Sequence, residues 1–141
     1  MEKLTEDETI MLLIEHLKQN DWEIVSYCLG QQRGYDVVAL NSSGQKLYIE
    51  AKGAKASDDS PTKKRIYFNS GQIKDHFGKA IVKSLETQLE HPNAKVAIAH
   101  PHDPDIIKNI GRLASHIGAF GIAHLWIKSS GEVVAENFPL H

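Results

Sequence analysis

The chain has 141 residues, 41% of them apolar, with one cysteine and a net charge of −2. That size and composition suit one ordinary globular domain and leave little room for a second. A lone cysteine excludes an intrachain disulfide and a thiolate zinc cluster, and the lack of any apolar run of about 18 residues argues against a membrane span.

The segment Met1-Glu2-Lys3-Leu4-Thr5-Glu6-Asp7 is acidic where a secretion signal is basic and then hydrophobic, so a cytoplasmic protein is expected. Thr5-Glu6-Asp7-Glu8 is a capping-box pattern, and Ile10, Leu13, Ile14 and Leu17 follow the helical period behind it, which predicts a helix ending near Asn20. Strands are expected over 24–29, 36–40 and 47–52, separated by the glycine-bearing stretch 30–34 and the turn Asn41-Ser42-Ser43-Gly44. Cys28, between Tyr27 and Leu29, reads as a buried core thiol. Residues 54–62 are small and polar and include Pro61, which predicts a loop.

A long helix over 71–90 follows, with Ile73, Phe77, Ala80, Ile81 and Leu85 on its packing face and His91-Pro92-Asn93 as its stop. A short apolar strand over 95–100 precedes Asp103-Pro104, an N-cap and first-turn pair opening a helix. Its apolar face is Ile106, Ile107, Ile110, Leu113, Ala114 and Ile117, with Gly118 as the expected stop. Residues 122–128 and 132–135, joined by Ser129-Ser130-Gly131, read as a closing strand or hairpin. The order α-β-β-β-α-β-α-β implies an α/β fold, a mixed sheet with helices on both faces.

Charge is segregated along the chain. Residues 1–23 carry 7 acids and 2 bases, whereas residues 46–83 carry 9 bases and 4 acids. On charge alone, two solvated faces of opposite sign explain this better than a polyanion-binding surface does.

Strand alternation places Glu50 and Lys52 on one side and Leu47, Ile49 and Ala51 on the other. Asp36 opens the preceding strand, and a meander brings its carboxylate beside Glu50. Two crowded carboxylates repel, and a hard cation resolves the repulsion. Mg²⁺, with Mn²⁺ able to substitute, takes oxygen ligands and keeps coordination positions open for a phosphate oxygen and a water. Lys52 would orient that water and offset charge on phosphorus.

Arg33-Gly34-Tyr35-Asp36 followed by Ile49-Glu50-Ala51-Lys52-Gly53 resembles the PD-(D/E)XK pattern of the restriction-endonuclease-like nucleases. Asp36 and Glu50 match that family's metal ligands and Lys52 its lysine; Tyr35 stands where the family often has proline. The resemblance implies a restriction-endonuclease-like α-β-β-β-α-β core over residues 5–100, with 101–141 as an α-β extension of the same domain. It also implies a divalent-metal-dependent endonuclease acting on DNA, with RNA left open.

On the long helix Gln72, His76, Lys79 and Lys83 form one stripe at about 100° per residue. This resembles the glutamine-containing helix motif that follows Glu-X-Lys in several branches of the superfamily. It implies substrate or water positioning for Gln72 and His76 and phosphate contacts for Lys79 and Lys83. The family's first-helix acid is best matched by Glu6, which shares a side with Ile10, Leu13 and Leu17, as an additional metal ligand. Lys55, Lys63, Lys64 and Arg65 flank the polar loop and are expected to clamp nucleic acid.

The 8 histidines are scattered, with no HExxH or paired Cys/His spacing of a zinc enzyme; besides His76, His100 at a strand end is the one worth testing. Two other readings stay open: a catalytically weak or inactive nuclease-fold module for DNA binding or interaction, and a dimer resembling the Holliday-junction resolvases. Without a separate DNA-binding domain the chain is expected to need a second copy or a partner to choose sites.

Overall fold

A computed structural model describes residues 3–56 and 67–137. In chain order it has α1 (Glu6–Gln19), β1 (Glu23–Tyr27), β2 (Val37–Leu40), β3 (Lys46–Ala51), α2 (Ser70–Glu90), β4 (Lys95–Pro101), α3 (Pro104–His116), a 3-10 turn (Ile117–Phe120), β5 (Ile122–Ile127) and β6 (Val133–Glu136). The six strands form one mixed sheet in the order β1-β2-β3-β4-β5-β6. Neighbours are antiparallel except β3–β4 and β4–β5, which are parallel and so need the crossovers that α2 and α3 supply. Among the described residues no helix is long and apolar enough to cross a membrane.

Strand alternation builds two cores. On one face Ile10, Leu13, Ile14 and Leu17 of α1 pack over Ala39, Leu47, Ile49, Ala51, Ala97, Ala99, Ala123 and Leu125. The run of alanines lets the large side chains of the helix sit close to the sheet. On the other face Ile73, Phe77 and Ala80 of α2 and Ile106, Ile110 and Ala114 of α3 cover Ile98, Ile122 and Trp126.

The helix starts follow their sequence signals. Thr5 Oγ1 accepts from Glu8 N (3.1 Å) while Thr5 N donates to Glu8 Oε1 (2.8 Å), completing the capping box of α1. Asp103 caps α3 with Pro104 in its first turn, and its carboxylate also receives Lys3 Nζ at 2.8 Å, tying the chain ahead of α1 to the start of α3.

Several expectations are corrected. The stop after α3 is Gly121 rather than Gly118: the chain tightens into the 3-10 turn, burying Ile117, before Gly121 takes the left-handed conformation at φ 76°. The apolar face of α3 is narrower than its sequence implies, because Ile107 (37% exposed) and Leu113 (50%) lie on its flanks. Leu85 is likewise exposed beside the buried stripe of α2. Cys28 is not a core thiol. β1 is an edge strand ending at Tyr27, and Cys28 sits half-buried in the following loop with Sγ 3.4 Å from Arg33 O.

Gly53 is where the first turn of α1 meets the end of β3. A Cβ there would lie 2.4 Å from Glu6 N and 2.8 Å from Thr5 C, and Ala54 N donates to Leu4 O at 2.8 Å beside it. Backbone atoms cannot step aside as a side-chain tip can, so Gly53→Ala is expected to cost about 1–3 kcal/mol by overpacking. Urea denaturation checks this, and a loss below about 0.5 kcal/mol, the range of ordinary surface substitutions, would contradict the tight fit.

Candidate active site

The candidate site lies at the C-terminal end of β3. Tyr48, Glu50 and Lys52 alternate with Leu47, Ile49 and Ala51, which belong to the core under α1, so Glu50 and Lys52 take the α2 side. Lys52 N donates to Ala99 O (2.9 Å), carrying the β3–β4 ladder one residue past the strand and fixing the lysine's backbone. Asp36 stands just before β2, where its Oδ2 accepts from Ala51 N at 2.8 Å. Glu6 arrives from the first turn of α1 through the close approach at Gly53.

These groups feel one another. Burial first, and then the Asp36 charge, push the Glu50 carboxyl up to about 7, opposed by Lys52 and Lys83 and reinforced by Glu6. Burial and then Asp36 likewise push Glu6 to about 7, with Lys52 opposing. Asp36 is raised by burial, held back by the Ala51 N–H and by Lys52 and Lys83. Three half-buried carboxyls thus share two lysines, an arrangement short of positive charge.

Among the described residues no three Asp, Glu, His or Cys side chains are drawn into a ready-made metal cage. The donor chemistry nonetheless fits a hard cation: oxygen ligands, partly desolvated, mutually repelling and beside a lysine. Mg²⁺ typically uses only one or two carboxylates and keeps several waters.

The other expected residues divide. His76 is half-buried and edge-on to Phe68 (4.6 Å), and its pKa is lowered by burial and then by the Lys52 charge. Lys83 acts on both Asp36 and Glu50, with Nζ 5.4 Å from the centre of the Tyr35 ring. Gln72 is engaged in a capping box for α2, its Oε1 accepting from Asn69 N (3.0 Å) while Asn69 Oδ1 accepts from Gln72 N. Lys79 pairs with Asp75 at 3.2 Å on the exposed surface. Lys55 bridges to Tyr67 across the segment 57–66, and Lys63, Lys64 and Arg65 lie outside the described residues.

Sequence reasoning singled out His100 but missed its burial and its partner, His124. His100 Nδ1 and His124 Nε2 are 2.8 Å apart with nearly parallel rings, against Trp126 and Phe77, while His100 Nε2 and His124 Nδ1 are buried without a hydrogen-bond partner. Burial holds His124 down to about 3, and burial and then His124 drive His100 well below its ordinary value. Burial thus disfavours the charged form of both rings, and their facing nitrogens share one hydrogen bond. The available signal was phase: His100 alternates with Ile98, and His124 with Ile122 and Trp126, all on the core side.

No protein-family model matches the chain, and no curated protein does. Among solved structures it is similar to an XisH family protein from Nostoc punctiforme, with a TM-score of 0.57 and 14% identity, covering 91% of this chain and 97% of that one. At that identity the likeness is one of fold.

The raised Glu50 pKa gives a pH signature. The folded carboxyl titrates near 7 against an ordinary 4.5, so its stabilising proton is fully bound below 4.5 and lost as pH rises through 7. In EDTA, Glu50→Gln should therefore stabilise the protein by about 1–2 kcal/mol at pH 8, a figure discounted for solvent screening, and far less at pH 5. Urea denaturation at the two pH values tests this, and an equal gain at both would contradict it.

Proposed function

We propose that the protein is a divalent-metal-dependent nuclease of the restriction-endonuclease-like type, hydrolysing phosphodiester bonds in DNA. The observation that carries the reading is the convergence of Glu6, Asp36 and Glu50 on Lys52 at the end of a central strand, within an α-β-β-β-α-β order of elements. When bound, Mg²⁺ or Mn²⁺ supplies Lewis acidity at the phosphate. Asp36 and Glu50 would hold it, with Glu6 as an additional carboxylate. Asp36 enters held by the Ala51 N–H, so little reorganisation is needed. Lys52 orients the attacking water and offsets negative charge developing on phosphorus. His76, half-buried and subject to the Lys52 charge, takes a water- or substrate-positioning role, and Gln72, its Oε1 already accepting in the cap, offers chiefly its amide N–H groups. Lys83, and Lys79 beyond it, lead the nucleic acid backbone along α2.

A second reading has its own observation. The absence of a ready-made three-group metal cage among the described residues favours a nuclease-fold module for DNA binding or interaction, with weak turnover or none.

Incubation with supercoiled, linear, branched and single-stranded DNA, in Mg²⁺, Mn²⁺ or EDTA, separates the two. The nuclease reading expects metal-dependent cleavage that EDTA abolishes. Lys52→Ala should lower the rate by about 10²–10³-fold, the usual loss of one transition-state contact, with DNA binding retained. Binding without cleavage in either metal would favour the second reading, and neither binding nor cleavage would remove both.

A further inference from the structure

A ring cluster that the proposed chemistry leaves unused lies next to the carboxylates along both strands. Tyr35 immediately precedes Asp36, and Tyr48 lies two residues before Glu50, hence on the same side of β3. Tyr35 meets Tyr48 edge-on with ring centres 4.7 Å apart, and Tyr48 stacks on His91 at 4.5 Å and 16°. His91 follows the last turn of α2 and also meets Tyr35 edge-on at 5.9 Å. Tyr48 is buried, whereas Tyr35 and His91 are half-exposed. Tyr48 and His91 also line an open cleft of about 360 Å³ with Gln45, Lys46 and Asn93.

Tyr35 stays half-exposed, in edge-to-face contact with the other two rings and with a flexible lysine over it. The Lys83 ammonium near the Tyr35 ring is the same charge that acts on Asp36 and Glu50. A ligand that presents an aromatic face beside a phosphate satisfies both groups at once: the phosphate draws Lys83 off the ring, and the ring takes the aromatic face.

We propose that Tyr35, backed by Tyr48 and His91, stacks an unpaired base next to a phosphate drawn in by Lys83 and Lys52, so that the preferred substrate is single-stranded or locally unpaired DNA. This rests on the nuclease reading above. Bases inside a duplex have both faces covered by their neighbours, whereas a base at an unpaired position has a face free for a side chain.

The test is binding of short labelled oligonucleotides in EDTA, followed by fluorescence anisotropy, with cleavage of the same strands measured separately in Mg²⁺. Wild type should prefer the single strand to a blunt duplex. Tyr35→Leu, which keeps apolar bulk without a π-face, should weaken single-strand binding by about 5- to 140-fold, the usual range for one stacked base. Tyr35→Phe should bind as wild type does, and duplex binding should be the same in all three proteins. Should Tyr35→Leu fail to fold, a fluorescent base analogue in the single strand, bound to wild type and Tyr35→Phe, gives the answer. Quenching on binding is expected, and unchanged emission overturns the proposal. Equal single-strand affinity of wild type and Tyr35→Leu, alongside Mg²⁺-dependent cleavage that Lys52→Ala slows, overturns the stacking site alone. Tyr35-dependent binding with no cleavage in Mg²⁺ overturns the nuclease reading instead.

Discussion

The hydrogen bond from Ala51 N–H to the Asp36 carboxylate joins the fold to the site. The β2–β3 ladder ends at the Val37–Ile49 pair, so the N–H of Ala51, on a buried central strand, needs an acceptor that the β2 backbone does not supply. Asp36 supplies it from the side chain. The same bond that completes the strand's hydrogen bonding thereby fixes the Asp36 carboxylate at the end of β3, where its charge acts on Glu50. On the opposite edge of β3, Lys52 N continues the parallel ladder to Ala99 O, fixing the start of the lysine side chain. Neither group can leave without exposing a buried backbone partner, so sheet pairing itself positions the site.

The cost of that arrangement is electrostatic. Glu6, Asp36 and Glu50 are partly desolvated together, and two lysines only partly offset them, which is why all three carboxyls are raised. Proteins seldom crowd carboxylates without compensation, and strongly perturbed groups of this kind concentrate at functional sites, although structural ion-pair networks also produce them. The histidine pair beneath is handled in the opposite way. Burial disfavours charge on either ring, and the two rings hydrogen-bond to each other.

What the sequence made legible was local. Alternation in Leu47, Ile49 and Ala51 put Glu50 and Lys52 together, and the Thr5–Glu8 and Asp103–Pro104 signals located two helix starts, because each depends on residues within one turn or strand. The phase of Glu6 against Ile10 and Leu13 also pointed inward. Features set by tertiary packing were not legible. Gly53 looks like any residue after a motif until the first turn of α1 lies against it. Gln72 read as a free amide because its cap depends on Asn69, two residues before the expected helix start. Gly118 lost the role of stop to Gly121 because burying Ile117 drew the chain into a 3-10 turn, and His124 found His100 only through the β4–β5 register.

The central claim is that a divalent cation relieves the crowding of Asp36 and Glu50, and its most direct measurement is the melting midpoint as a function of Mg²⁺ concentration. A ligand that binds only the folded state adds about 2.7 kcal/mol at a hundred times its dissociation constant, several degrees for a domain of this size. The wild-type midpoint should climb with Mg²⁺, whereas that of Asp36→Asn/Glu50→Gln should stay flat. Equal rises in the two proteins, or none in the wild type, would contradict a metal site at these carboxylates.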